Sequence, residues 1–166
     1  MASEPLLTTA IDHLRAALEG ITVAAGFFTE MGGAVEDELE AVERHGAADA
    51  GVVLGIESVG QTDASESSLE RVTVVLTAWH HYRRPTPAGQ PTPRQLVARM
   101  ARDLEVAVKA DYTRGGTAAD TVPLGWSPTP DPENRAIVWV EYRVQLTLLR
   151  SYSDPGEELA EPGAIA

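Results

Sequence analysis

Between Val138 and Leu148 the side chains alternate with a period of two. Val138, Val140, Tyr142, Val144, Leu146 and Leu148 fall on one side; Trp139, Glu141, Arg143, Gln145 and Thr147 fall on the other. Successive residues of a strand point to opposite faces, so residues 135–152 predict one long strand with an apolar face and a wetted one. That is well beyond the usual five or six residues. Residues 69–82 repeat the pattern, with Val72, Val74, Leu76 and Ala78 against Arg71, Thr73, Val75, Thr77 and Trp79. Apolar, β-branched runs at residues 51–59 and 22–29, the latter holding Phe27 and Phe28, predict two more strands. Residues 121–126 predict a further short one, and residues 60–68 read as a polar linker.

Elsewhere the period changes to that of a helix. Leu7, Ile11, Leu14, Leu18 and Ile21 recur at steps of three and four, predicting a helix over residues 5–19 that ends at Gly20. A second is predicted over residues 94–110, with Leu96, Val97, Met100, Leu104, Ala107 and Val108 on one face and Arg94, Arg99, Arg102, Asp103 and Glu105 away from it. Thr92 is its expected cap, and Pro93 suits the first turn, where a missing N–H is harmless. The acidic residues 34–45 fit a short helix or a loop equally well. Residues 85–93 and 127–134, studded with proline, read as exposed connections. The fold expected is α/β (α+β): a mixed, mainly antiparallel sheet with two helices packed on one face. It forms a single domain over residues 1–152, followed by an acidic, aperiodic tail at 153–166 that is expected to be flexible.

Charge and composition then narrow the chemistry. The formal net charge is −12, from 25 acids against 13 bases. Such a surface disfavours sequence-reading contact with nucleic acid, which draws on Lys and Arg neutralising phosphates, but suits a wall that a polyanion slides past. There is no cysteine, hence no disulfide, thiolate nucleophile or cysteine zinc site. No apolar run approaches the ~20 residues needed to span a bilayer, and no leader pattern is visible, so a soluble protein without membrane contact is expected.

No G-x-S-x-G elbow, H-E-x-x-H pair, Walker loop or dinucleotide fingerprint occurs, so neither enzymatic activity nor a cofactor is expected. The acidic run at residues 34–45 lacks the ligand alternation and turn glycine of a calcium loop. His80 and His81, adjacent on a strand, point to opposite faces and are poorly placed to share a metal. His13 reads as a surface or boundary residue. The Gly115-Gly116 pair follows a helix instead of opening one, unlike a phosphate loop.

One basic, aromatic cluster stands out in this acidic chain. It is the strand end Ala78-Trp79-His80-His81-Tyr82-Arg83-Arg84, of a composition enriched where protein surfaces meet. It is followed by a loop, then a helix closing on Val106-Ala107-Val108-Lys109-Ala110-Asp111 and the turn Tyr112-Thr113-Arg114-Gly115-Gly116. A proline-rich stretch leads to the last strand, Val138 to Leu146, and on to Ser153-Asp154-Pro155. This order resembles the tail terminator (tail completion, minor tail) proteins of long-tailed bacteriophages. The resemblance spans residues 69–155 and extends to the first helix; Arg114 stands where that family commonly has leucine.

The resemblance implies a mixed sheet with helices on one side and a hexameric ring in the virion, assembled in the host cytoplasm. Such a ring caps the tail tube, ends its growth and offers a surface to the head connector or neck protein while DNA passes through. On that basis Thr73, Thr77, Glu141, Arg143, Gln145 and Thr147 are expected to face the lumen. Trp79, His81, Tyr82, Arg83, Arg84, Arg114 and Trp126 are expected at contacts. Two other roles remain open: a different neck component or the cap of a phage-derived injection device, and, in another class, a small-molecule-binding or enzymatic domain.

Overall fold

A computed structural model describes residues 6–37, 48–64, 67–82, 88–129 and 136–151, the side chains of 61–68 and 149–151 excepted. The fold is α+β. Helix α1 (Leu6–Glu19) leads through two single 3-10 turns, Val23–Ala25 and Met31–Gly33, into strand β1 (Val35–Glu36). Then come β2 (Ala50–Ala64), β3 (Ser67–His81), helix α2 (Pro93–Lys109), β4 (Asp120–Thr129) and β5 (Ile137–Ser151). The five strands lie in the order β1-β2-β3-β5-β4, antiparallel throughout except that β1 runs parallel to β2.

The apolar halves of the alternating patterns make the core. Val72, Val74, Leu76 and Ala78 of β3, with Val140, Tyr142, Val144, Leu146 and Leu148 of β5, lie buried beneath both helices. Against them pack Ala10, Leu14 and Leu18 of α1 and Met100, Leu104, Ala107 and Val108 of α2. Helix α2 begins as its sequence requires. The Thr92 hydroxyl accepts from Gln95 N at 3.3 Å, and the Gln95 side chain returns to Thr92 N at 2.8 Å, a reciprocal capping box with Pro93 beside it.

Several elements differ from expectation, each for a local reason. Residues 22–29 form no strand. The Thr22 hydroxyl accepts from Ala25 N and the Thr22 carbonyl from Phe27 N, so the chain coils on itself. Phe28 N then donates to both oxygens of Asp103, at 3.0 and 3.1 Å, and the Thr29 hydroxyl donates to the same carboxylate at 2.7 Å. Asp103 is therefore buried, not on the outer face of its helix. Strand β2 runs on to Ala64, through residues expected as linker. Its backbone pairs with β3 from Gly60↔Arg71 to Ala64↔Ser67, and that ladder needs no apolar alternation. Within residues 34–45, left open between helix and loop, Val35–Glu36 is a strand, and 38–45 lie outside the described residues. Ser127, Pro128 and Thr129 belong to β4 instead of the exposed connection, whose residues 130–134 lie outside the described residues, as does the tail 153–166.

Candidate functional site

The helices cover one face of the sheet and leave the other open. Register places Thr73 opposite Gln145, Thr77 opposite Glu141 and Arg71 opposite Thr147, all on the open face. Thr73, Thr77, Glu141, Gln145 and Thr147 are half-buried there and Arg143 is exposed, so the six expected lumen residues share one surface. Arg143 ties this face together. Its guanidinium meets Glu141 at 2.6 Å on its own strand and Glu57 at 3.2 Å on β2, reaching across β3 to do so. Glu57 sits at the register shift between Ile56 and Ser58, a bulge that brings an extra side chain into reach of the open face. Pairs this exposed contribute little to stability, roughly 0–1 kcal/mol each. Their effect is to make the face polar and internally neutralised in an otherwise acidic chain.

The expected contact residues do not behave alike. Trp79 lies on the open face yet is only 2% exposed, so a lone chain does not offer it as a contact. Its indole lies across Gly51, where a Cβ would sit 2.8 Å from Trp79 Cε2 and 2.6 Å from the Ala34 carbonyl oxygen. His81 stands edge-on to Trp79 with ring centroids 5.6 Å apart. His81 and Tyr82 are half-buried, Trp126 is 50% exposed, and Arg83 and Arg84 lie outside the described residues. His80 and His81 both line a cleft of 380 Å³ with Asp49, Phe28 and Arg99, the Arg99 guanidinium carbon lying 5.6 Å from the centre of the Phe28 ring. Among the described residues no group of three or more His, Cys, Asp or Glu is arranged to hold a metal, and no helix is long and apolar enough to cross a membrane.

Arg114 is fully buried instead of forming a surface contact. It occupies the turn that carries the chain from α2 to β4, where Arg114, Gly115 and Gly116 take φ of 50°, 68° and 85° in succession. The Asp111 carboxylate shapes this turn, accepting from Gly115 N at 2.6 Å, Thr113 N at 3.0 Å and the Thr113 hydroxyl at 2.9 Å. These bonds, the Gly115 amide first, hold Asp111 below the ordinary carboxylate range. Turned inward, the Arg114 guanidinium donates to the Val108 carbonyl at the end of α2 and, through Nε, to the Thr121 hydroxyl at 3.2 Å. Burial lowers its pKa, and Asp111 nearby opposes that. His13 of α1 closes the arrangement, its ring lying over Gly115 where any Cβ would collide with it.

Sequence reasoning missed the Arg143 bridge, Asp103 and the interior role of Arg114. The Arg143–Glu57 bridge and Asp103 depend on partners far along the chain, while Arg114 turns inward to near neighbours, Val108 and Thr121, through its left-handed backbone. Only the Asp111–Thr113 spacing before two glycines hinted at the closed turn. Compared with protein-family models and with curated proteins, the chain matches none.

Proposed function

We propose that this chain is a structural protein of a long bacteriophage tail, and that copies of it close into a ring that caps the tail tube. The observation that carries this reading is the two-faced sheet. Strands β2, β3 and β5 are 15 residues each. Among their described side chains, β3 and β5 bury one face under the helices; the other face is uncovered and mostly polar, with Val53, Val75, Trp79 and Trp139 among its apolar members. Antiparallel sheets commonly keep one face solvated, and a solvated face this long is suited to the wall of a channel. Thr73, Thr77, Gln145 and Thr147, with the neutralised Arg143–Glu141 pair, offer DNA hydroxyls and amides but little net positive charge, so the polyanion finds nothing to adhere to. The motifs at Ala78–Arg84 and Asp111–Gly116 add the resemblance to tail terminators. In this role the chain ends tube growth and presents a surface to the head connector.

The test is assembly. Purified protein is imaged by electron microscopy, alone and with polymerising tail tube protein. Rings and tubes of arrested length are the expected result. Tubes that grow unchanged and carry no added density at either end would overturn the assignment. Density on the connector alone would instead move the chain to a neighbouring neck position.

A further inference from the structure

The two margins of the sheet are unlike. At one, β4 ends the sheet, and Leu124 and Trp126 stand on it, each 50% exposed. Register sets Trp126 opposite Tyr142, so it belongs to the helix-covered side. Exposed Tyr112 lies beside the start of the same strand, its carbonyl accepting from the Thr121 hydroxyl at 2.7 Å. At the other margin β1 pairs with β2 at Val52 and Val53. Farther along β2, Ile56 and Val59 are 51% exposed, and they too lie on the helix-covered side, opposite Val74 and Val72. Between this margin and α1 runs an open cleft of 560 Å³, walled by Leu7, Ile11, Leu54 and Ile56, with Thr8 and Asp12 also lining it.

We propose that the Trp126 margin of one copy seats in the α1–β2 cleft of the next. The inference rests on the reading that copies of this chain assemble, and it names the surfaces by which they do. Exposed aromatic and aliphatic side chains on a chain of net charge −12 are what interfaces favour over free surface. Every copy carries both halves, a ridge and a groove, on opposite margins of the same side of one sheet. A closed ring of copies covers every ridge and every groove, while an unrelated partner seated on either surface would leave the other uncovered. Because ridge and groove are different surfaces, the contact is head-to-tail, and such contacts close into rings when their rotation permits.

The seating works through side chains, not by extending the sheet. Pro123 and Pro128 lack the N–H a ladder needs, and the register shift between Pro123 and Gly125 bends β4, so this edge is a poor template for another strand. Polar complementarity adds direction. The Trp126 indole N–H is a donor only, and the Asp12 carboxylate in the cleft is an acceptor that makes no bond among the described residues.

The absence of cysteine makes the test clean. Full-length Ser127→Cys, which keeps Trp126 and lies exposed beside it on β4, and Thr8→Cys variants, each with an unchanged circular dichroism spectrum, are treated with a short bismaleimide, separately and mixed. The mixture should give a covalent dimer and neither variant alone should; the double variant should give a ladder that stops at one copy number. Trp126→Ala should weaken self-association at least tenfold by sedimentation equilibrium, and Trp126→Phe should restore most of it. Linkage of Ser127→Cys to itself, or a mixture that stays unlinked, overturns the contact. If tubes are still capped in that case, the capping role stands and only this interface falls. Head-to-tail linkage without capping has the opposite meaning.

Discussion

At the scale of single residues, the turn from Asp111 to Gly116 concentrates the unusual conformations. Arginine in the left-handed region costs about 1–2 kcal/mol, and here it is held there by bonds its buried guanidinium makes to Val108 and Thr121. Gly115→Ala should therefore be costly for two reasons, its φ of 68° and the His13 ring, whose Nε2 would be 2.6 Å from the new carbon. A loss of about 2 kcal/mol or more in urea unfolding is expected, of which His13→Ala in the same background should recover the steric part. Tyr142 gives a different readout. Burial, with Glu105 nearby, pushes its pKa up from 10.0 to about 12. A raised folded-state pKa means that between those values the unfolded chain has released its proton and the folded chain has not. Stability conferred by neutral Tyr142 is whole below pH 10 and declines toward pH 12, by up to about 3 kcal/mol. One of the four tyrosines should ionise late in an absorbance titration of the folded protein.

At the scale of elements, the period-two and period-3.6 patterns were legible because burial on one face imposes them. Strands β3 and β5 and helix α2 begin and end close to where alternation and capping residues place them. Legibility failed where hydrogen bonding, not burial, sets the structure. The polar end of β2 is paired purely through its backbone, and the apolar residues 22–29 are coiled by the Thr22 cap and Asp103. The candidate face was readable as a stripe of alternate residues, but its cross-strand ion pair Arg143–Glu57 was not, since it requires the strand order. Two substitutions probe these elements. Thr92→Ala, which opens the capping box, should cost about 1 kcal/mol in thermal or urea unfolding. Gly51→Ala drives a methyl into Trp79 and the Ala34 carbonyl, so about 1–3 kcal/mol is expected, with a shift in tryptophan emission as the indole is displaced.

At the scale of the whole molecule, charge and shape pull in opposite directions. Copies of net charge −12 repel one another, while the contact proposed between the ridge at Trp126 and the cleft at Ile11 would draw them together by apolar burial. Salt screens the first and leaves the second, the Debye length falling from about 10 Å at 0.1 M to about 3 Å at 1 M. Self-association should therefore tighten as sodium chloride rises across that range in sedimentation velocity. Weakening would mean that attraction between charges, and not apolar burial, joins the copies.

The β3–β5 pairing has a mechanical consequence. Fifteen residues of each strand are matched in one uninterrupted register, from Ser67↔Ser151 to His81↔Ile137. Antiparallel hydrogen bonds lie perpendicular to their strands, so a pull along the strand axis strains all these rungs together, while a pull across it peels them one by one. The sheet is thus built to resist tension lengthwise and to yield sideways, and its strength depends on the direction of the force.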